Sequence, residues 1–403
     1  MHMHLVYEFM ANGSLDRFIY HKNSQLALEW QQRKKIILNI AKGLNYHQED
    51  CWSKIIHLDI KPLNILLNEN LNAKKAATSV TKEKIDEAIA TVLDITRFST
   101  EALASFTIAD LGCSVGPNTF IVVQNIIEAV RCKYGSQVPD FQVFFNDHTA
   151  NDFNTLFTSF PPEKNYYAAG VPGSFHGRLF PESSLHFVHS SYAIHWLSRV
   201  PKELLDEGSP AWNKGRIHYT SAPENVGDAY KSQFAKDMRD FFNARGKEIV
   251  SGGLMALIMP GTQDGVPHSQ VPSGVNYDLL GFSLMDMAKE GIIRESDVDS
   301  FNLPVYAPTP QEMTELVNAN GCFGIERMEL TAPRSKIKGL IDGQACMMHL
   351  RAGMEGIISK HFGSEIIDEL FDRFLKKADD EFAERLEASF QNSTQLLVVL
   401  KRK

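Results

Sequence analysis

The clearest structural signal in this sequence is the stretch Phe106-Thr107-Ile108-Ala109-Asp110-Leu111, followed directly by Gly112-Cys113-Ser114-Val115-Gly116-Pro117-Asn118-Thr119. The first segment has the short apolar run of a buried strand, and the second has the composition of a turn. Four apolar residues then recur at helical spacing: Ile121, Val122, Ile126 and Ile127. A strand, a glycine turn and a helix in this order predict the opening βα unit of a nucleotide-binding α/β fold.

The spacing of the glycines indicates which nucleotide cofactor the turn binds. A dinucleotide site typically has GxGxxG, whereas here Gly112 and Gly116 are not followed by a third glycine. The preceding Asp110 would repel a phosphate but suits the sulfonium and amino group of S-adenosylmethionine. Asp147 lies just after the next predicted strand, at 141–145, where a carboxylate can bind ribose hydroxyls. The alternative is a purely structural turn with a surface aspartate.

Composition excludes several classes of protein. The chain has 403 residues, of which 43% are hydrophobic and 22% are charged, as in soluble proteins with more than one domain. Its 41 basic and 49 acidic residues give a net charge of -8, which argues against nucleic-acid binding and for a small-molecule or protein partner. Five scattered cysteines without a CxxC pair, and no signal or membrane-spanning segment, predict a cytoplasmic protein with no membrane contact.

Residues 1–72 have a different character from the rest. They contain His57-Leu58-Asp59-Ile60-Lys61-Pro62-Leu63-Asn64-Ile65-Leu66-Leu67, which resembles the catalytic loop of plant receptor-like protein kinases. The resemblance implies a partial kinase C-lobe segment in which Asp59, Lys61 and Asn64 are vestigial. A kinase also needs a glycine-rich loop, its strand lysine and an Asp-Phe-Gly, none of which stands in the expected place. We therefore expect no kinase activity.

Five segments further along the chain carry a second resemblance. They are ADLGCSVGPNTF, NDHTANDFNTLF, VPGSFHGRLFP, HSSYAIHWLSRVP and DSFNLPVYAPTPQE. In this order they resemble the plant SABATH family of S-adenosylmethionine-dependent carboxyl methyltransferases, most closely its farnesoate- and loganate-type members. The resemblance implies a class I, Rossmann-like α/β methyltransferase over residues 73–403, with an α-helical cap at about 262–345. Family members often dimerise, and the sequence leaves a homodimer open.

The resemblance also implies which residues bind the cofactor. They are Asp110, Gly112, Cys113, Asn118, Asp147, His148, Ser174 and Phe175. In the family, Cys113 and Asn118 match positions that contact the methionine part of S-adenosylmethionine. The pair at 147–148 matches ribose contacts and the pair at 174–175 matches adenine contacts. His148 departs from the apolar residue that is usual there.

Methyl transfer to a carboxylate needs no general base, because the carboxylate is already ionised at neutral pH. The site must instead align the oxygen with the methyl group and exclude water. The resemblance assigns Tyr192, His195 and Trp196 to the substrate, a small carboxylic acid, and the Trp196 indole N–H can donate to it. Members selective for salicylate have Met in place of His195, so this residue argues against salicylate. The alternative is a polar cluster that satisfies itself in the core.

The segment at 262–345 is rich in apolar residues, and the resemblance implies that it closes the substrate pocket. Phe282 and Met285 are candidates for the pocket lining, although most of its apolar residues fit ordinary helix core equally well.

A structural Mg²⁺ is also implied by the resemblance, at Asn213, Asp299, Phe301 and Asn302. The phenylalanine would bind through its backbone carbonyl. One carboxylate with neutral oxygens suits a hard cation, whereas a plain loop is the alternative.

One family feature is absent from the printed sequence. Family members begin with Ser-Tyr-x-x-Asn-Ser-x-x-Gln, which covers the cofactor and helps hold the substrate, and no such string precedes Lys74. We therefore expect weakened activity. The competing hypothesis is an inactive pseudoenzyme whose kinase-derived segment acts at most as an interaction module.

Overall fold

The computed structural model describes residues 13–14, 65–67, 73–75, 80–98, 105–138, 140–161, 164–331 and 343–403. In the first three of these ranges, β1 (Gly13–Ser14), β2 (Ile65–Leu67) and β3 (Ala73–Lys75) form a small antiparallel sheet. The sequence favours a helix from residue 73 to 93, but residues 73–75 pair with 65–67 and the helix α1 spans only Val80–Val92. Asp59, Lys61 and Asn64 lie outside the described residues.

Seven strands form the main sheet. They are β4 (Ser105–Leu111), β5 (Asp140–Asp147), β6 (Tyr167–Pro172), β7 (Leu185–Ser191), β8 (Ile249–Pro260), β9 (Phe323–Thr331) and β10 (Gln395–Arg402). Their order is β6-β5-β4-β7-β8-β10-β9, and β10 runs antiparallel to both of its neighbours while the pairs from β6 to β8 are parallel. The predicted Rossmann-like class I fold is confirmed.

The described α-helices after α1 lie either against the faces of this sheet or in a separate layer outside it. They are α2 (Pro117–Tyr134), α3 (Phe153–Thr158), α4 (Glu224–Glu248), α5 (Pro272–Lys289), α6 (Glu295–Asp299), α7 (Pro310–Asn320), α8 (Gly343–Phe362), α9 (Ile367–Asp379) and α10 (Ala383–Ser389). Side chains alternate along the strands, so Phe106 and Ile108 join the core under α1 and α2. Ala109 and Leu111 instead join the core under α4 and α7.

A third core lies in a helical layer outside the sheet. It is built from α5, α6, α8, α9 and α10, with buried side chains such as Leu280, Leu350 and Phe371. The residues of this layer do not coincide with the segment expected to form a cap, at about 262–345. Residues 310–331 belong to the sheet layer, because α7 packs on β9 and β9 pairs with β10. The helical layer also includes α8, α9 and α10, the first of which begins at Gly343.

Strands β4 and β7 lie side by side at the centre of the sheet, and the chain continues from them toward opposite edges. Ligands of open α/β sheets bind at such a switch point, beyond the carboxyl ends of the strands. The turns after β4 and β7 are therefore the place to look for a site. Across the described ranges, no helix is both long and apolar enough to cross a membrane.

Candidate active site

The turns that follow β4 and β7 touch at Gly112. This residue has φ +76°, and a Cβ atom placed on it would lie 2.1 Å from Cβ of Ala193 and 3.7 Å from the ring of Phe175. Only glycine fits here, both because of its backbone conformation and because the opposite turn comes so close. The predicted cofactor turn, one predicted adenine contact and the predicted substrate turn therefore meet at one point.

Asn146 ties the cofactor turn to the loop after β6. Its backbone carbonyl accepts hydrogen bonds from the amides of Gly112, at 2.9 Å, and Cys113, at 3.0 Å. Its side-chain amide donates to the carbonyls of Val171, at 2.7 Å, and Gly173, at 2.9 Å. This fully buried residue thus fixes the spacing between two loops that surround the candidate cofactor site.

Two backbone amides fix the carboxylate of Asp147 at the end of β5. Its Oδ2 accepts from the backbone amide of Ser114 at 2.7 Å, and its Oδ1 accepts from the amide of His148 at 2.8 Å. Each carboxylate oxygen can accept a second hydrogen bond, so the group remains able to bind two hydroxyls. The His148 side chain is 70% exposed, which makes it a weaker candidate than its neighbour.

Asp110 is buried in a polar network at the end of β4. Its carboxylate accepts from the hydroxyl of Thr119 and lies 2.7 Å from Nδ1 of His189. Asp110 therefore braces the strand end and the first turn of α2, beside the turn predicted to hold the cofactor. Burial, together with the charges of Asp110 and Asp147, raises the pKa of the Cys113 thiol, so Cys113 offers a neutral S–H group.

The remaining predicted cofactor residues lie at the start of α2 and in the loop after β6. Asn118, in the first turn of α2, and Ser174, in the loop after β6, are exposed to solvent. Phe175 is half-buried and its ring makes an edge contact with Phe241 of α4. The structure therefore supplies two polar groups and an aromatic face around the glycine turn.

Tyr192 begins the turn after β7 in a strained conformation. Its φ is +54°, which is uncommon for a residue other than glycine and tends to mark functional sites. The strain is held by a hydrogen bond from its amide to the carbonyl of Ile258, at 2.8 Å, and by its hydroxyl, which donates to Oε1 of Gln395 at 2.8 Å. Nearly half of the side chain is exposed, so it is not a core residue.

His195 and Trp196 follow on the same turn. His195 is buried, and this burial lowers its pKa to about 4, so the imidazole is neutral at physiological pH. Its Nδ1 has no hydrogen-bond partner within the described ranges. Trp196 is half-buried, and its backbone bridges to Val305, while the Tyr306 amide donates to the His195 carbonyl at 2.9 Å. The turn thus presents a neutral imidazole and an indole.

Comparison with known proteins identifies the family. Residues 68–403 match the family described as SAM dependent carboxyl methyltransferase. The chain belongs to the S-adenosylmethionine-dependent carboxyl methyltransferases. Residues 1–78 are similar to the protein kinase domain family, in agreement with the kinase-like motif at 57–67.

Individual members of this methyltransferase family are similar over most of their length. The chain is 45% identical to loganic acid O-methyltransferase of Catharanthus roseus over 340 residues, which is 83% of this chain and 91% of that protein. It is 38% identical to farnesoic acid carboxyl-O-methyltransferase of Arabidopsis thaliana over 338 residues, 83% and 95% respectively. A solved structure of loganic acid methyltransferase with SAH is 46% identical, has a TM-score of 0.77 and covers 80% of this chain and 92% of that one.

The predicted metal residues lie together in this methyltransferase. Asn213 Nδ2 donates to Oδ1 of Asn302 at 2.6 Å, and Asp299 Oδ1 accepts from the amide of Gly215 at 2.7 Å. Phe301, which lies between Asp299 and Asn302 in the sequence, is buried. Within the described part of the chain, no cluster of three or more His, Cys, Asp or Glu side chains could hold a metal ion. The candidate set depends on amide and carbonyl oxygens instead.

The two cap residues singled out by the sequence have different surroundings. Met285 is partly buried against the same cap core as Trp196. Phe282 is 42% exposed, and its ring lies 5.6 Å from that of Phe382. Met285 therefore remains a candidate for the pocket of the methyltransferase, whereas the described contact of Phe282 is with Phe382 of the loop before α10.

Sequence reasoning overlooked several residues that shape the site. They are Asn146, His189, Gln395, and the buried pair Arg245 and Glu248 of α4. Asn146 and His189 could have been suspected, because each is a polar residue at the end of an apolar strand. The other three are far from the site in sequence and carry no local signal.

Proposed function

We propose that this protein transfers the methyl group of S-adenosylmethionine to the carboxylate of a small, largely apolar acid, giving a methyl ester. The observation that carries the proposal is the contact between the two turns at Gly112 and Ala193. It brings the residues expected to bind the methyl donor next to those expected to bind the acceptor. The related loganic acid and farnesoic acid enzymes support the substrate class.

S-adenosylmethionine supplies an electrophilic methyl group bound to a positively charged sulfur. The protein then has to align an ionised carboxylate with that group, and it has neutral groups for this task. The Trp196 indole N–H donates to a carboxylate oxygen, and the neutral His195 ring limits how that anion can turn. Met285 and the buried cap residues exclude water, which removes solvation from the carboxylate.

The test is transfer of a tritiated methyl group to a panel of carboxylic acids, including loganic and farnesoic acids, with Trp196→Phe as the informative variant. This change keeps an aromatic ring and removes the N–H. A hydrogen bond to a charged group is worth about 1.5–3 kcal/mol, which corresponds to a loss of about ten- to a hundredfold in kcat/KM for the acid.

Trp212→Phe is the matched control, since it makes the same change in a tryptophan whose ring lies under the Lys214 ammonium and not on the substrate turn. We expect this control to keep the kcat/KM of the unaltered protein. Equal kcat/KM for Trp196→Phe and the unaltered protein would remove Trp196 from the substrate site. No transfer to any acid would contradict the proposed reaction.

We further propose that Asn213, Asp299, the Phe301 carbonyl and Asn302 hold a structural Mg²⁺. The support is chemical: the Oδ1 of Asn213 is buried without a partner among the described residues, and the set offers one carboxylate and several neutral oxygens. Such an ion would join the loop before α4 to the loop after α6. Calorimetric titration with Mg²⁺ should show binding that Asp299→Asn abolishes, and EDTA should lower the melting temperature. No heat of binding would refute this site.

The cytoplasmic location also remains a proposal. It is supported by Cys113, Cys132 and Cys322, which are free thiols.

A further inference from the structure

A buried ion pair lies behind the loop that carries the expected adenine contacts. Arg245 and Glu248 stand one turn apart at the end of α4, and neither side chain is exposed to solvent. Arg245 Nε donates to Glu248 Oε2 at 2.7 Å, and its Nη2 is 2.6 Å from the same oxygen. A fully buried pair of charges is costly to desolvate, so its other hydrogen bonds indicate what it is for.

Those hydrogen bonds all go to the backbone of one loop. Arg245 Nη1 donates to the carbonyl of Phe175 at 2.8 Å, and its Nη2 donates to the carbonyl of Gly177 at 2.9 Å. Glu248 Oε1 accepts from the amides of Leu179, at 2.6 Å, and Phe180, at 3.0 Å. Four backbone groups of residues 175–180 are thus fixed by one pair of side chains.

The loop held in this way contacts the glycine turn. The ring of Phe175 is near the position that a side chain at residue 112 would occupy, and its edge packs on Phe241 of the same helix. Phe241 is also the ring over which the Arg245 guanidinium lies, at 5.3 Å from the centroid. The rigid helix α4, the ion pair and the aromatic ring therefore form one continuous support.

We infer that Arg245 and Glu248 are positioning residues that set the adenine end of the S-adenosylmethionine site. The inference rests on the proposed function, because the adenine contacts of Ser174 and Phe175 are themselves expectations. Neither side chain is exposed to solvent, so neither Arg245 nor Glu248 is placed to touch the cofactor. They act by holding the Phe175 and Gly177 carbonyls, so that the aromatic ring is already in place when the cofactor arrives.

The first variant is Arg245→Lys. A lysine ammonium can still pair with Glu248, but it lacks the planar fork that reaches two carbonyls and a carboxylate together. We expect the Kd for S-adenosylhomocysteine to rise about tenfold, equivalent to roughly 1.4 kcal/mol. The Kd for 5′-methylthioadenosine, which has the adenine but no amino-acid part, should rise by the same factor. Both constants are measured by calorimetry and need no turnover.

The matched control is Arg294→Lys. Arg294 and Asp297 form a pair with the same i,i+3 spacing, but the arginine side chain is 82% exposed. This control should leave both dissociation constants unchanged. In turnover assays Arg245→Lys should raise KM for S-adenosylmethionine and leave KM for the acid as it was. A merely destabilised protein would instead lose active enzyme, with neither KM altered.

A second variant covers the case in which Arg245→Lys fails to fold. The double substitution Arg245→Met with Glu248→Gln removes both buried charges, and apolar replacements of buried ion pairs are often tolerated. The amide oxygen introduced by Glu248→Gln would still accept from the amides of Leu179 and Phe180, whereas the carbonyls of Phe175 and Gly177 would lose their donors. We expect the same rise in both dissociation constants and faster hydrogen exchange in residues 174–180.

The outcomes separate the two proposals. If the unaltered protein binds no S-adenosylhomocysteine, the proposed function fails and this inference falls with it. If the unaltered protein binds and the folded variants bind equally well, the positioning role of Arg245 and Glu248 is refuted while the proposed function stands.

Discussion

Replacing Gly112 by alanine tests the contact that brings the two halves of the site together. The substitution has two separable costs. An L residue at φ +76° loses about 1–2 kcal/mol relative to its preferred conformations. The added Cβ would also lie 2.1 Å from Cβ of Ala193, and such overpacking typically costs about 1–3 kcal/mol. Together they predict a loss of about 2–5 kcal/mol in the free energy of unfolding.

Gly321→Ala isolates the first of these costs. Gly321 follows α7 with φ +74°, almost the same conformation, but a Cβ atom there would meet nothing within 4 Å. The control should therefore lose only about 1–2 kcal/mol. The difference in free energy of unfolding between the two variants measures the cost of the close contact between the turns, because both variants have the same backbone cost.

The Ala193→Gly substitution completes a double-mutant cycle. Removing the opposing Cβ should recover about 1–3 kcal/mol in the Gly112→Ala background and should not stabilise the unaltered protein. The assays are urea unfolding and calorimetric titration with S-adenosylhomocysteine, which Gly112→Ala should weaken. If Gly112→Ala costs no more than Gly321→Ala, and shows no coupling to residue 193, the two turns do not touch and the site geometry is wrong.

Three further predictions follow from single residues. The folded-state pKa of His195 is lowered from 6.5 to about 4, so between these pH values the unfolded chain binds a proton that the folded chain does not. The free energy of unfolding should therefore fall as pH decreases through this window, by up to about 3 kcal/mol from this residue. Urea unfolding measured at several pH values should show that the free energy of unfolding of His195→Gln depends less on pH than that of the unaltered protein. Asp237 accepts from the amide and hydroxyl of Ser198, and Asp237→Asn should cost about 1–3 kcal/mol in urea unfolding and raise KM for the acid; an unchanged KM would exclude an effect on the substrate turn. Purified protein should transfer no labelled phosphate from ATP beyond the level of Asp59→Asn, and a clear excess would overturn the prediction that the kinase-like segment is inactive.

Local sequence signals were enough to predict the central βα unit. The apolar strand at 106–111, the glycine at 112 and the helical repeat after it correspond to β4, its turn and α2. The residues expected to line the site lie at or after the ends of four neighbouring parallel strands, β6, β5, β4 and β7, and parallel strands end at the same edge of a sheet. Their convergence around Gly112 needed only that rule of topology.

The limits of the cap could not be read in the same way. Strand β9 is Phe-Gly-Ile-Glu-Arg-Met-Glu-Leu-Thr, and it lies at the edge of the sheet, paired only with β10. Edge strands often carry charges, so β9 lacks the continuous apolar run that marked β4. Its place in the sheet is fixed by pairing with residues 395–402, some 70 positions later, which no local pattern reveals.

The residues that hold the loops of the site could not be predicted from the sequence, for a related reason. Arg245 and Glu248 sit in a helix whose polar residues would ordinarily be assigned to the solvent. Their burial depends on a loop about 70 residues earlier that folds over them. Contacts between residues so far apart in the sequence determine which arginine–glutamate pair of a helix is buried. Local sequence patterns do not reveal such contacts.

Helix α4 sets the distance between two loops of the proposed site. Asp237 holds the backbone just after the turn that follows β7, and Arg245 holds the loop at residues 175–180. These two residues are eight positions apart, about 12 Å along the helix axis. Inserting one residue between them would turn Arg245 by about 100° and remove it from its loop. In the proposed site, substitutions in the helical layer can therefore alter the substrate range, whereas a change in the number of residues between Asp237 and Arg245 would shift the expected adenine contacts relative to the expected substrate turn.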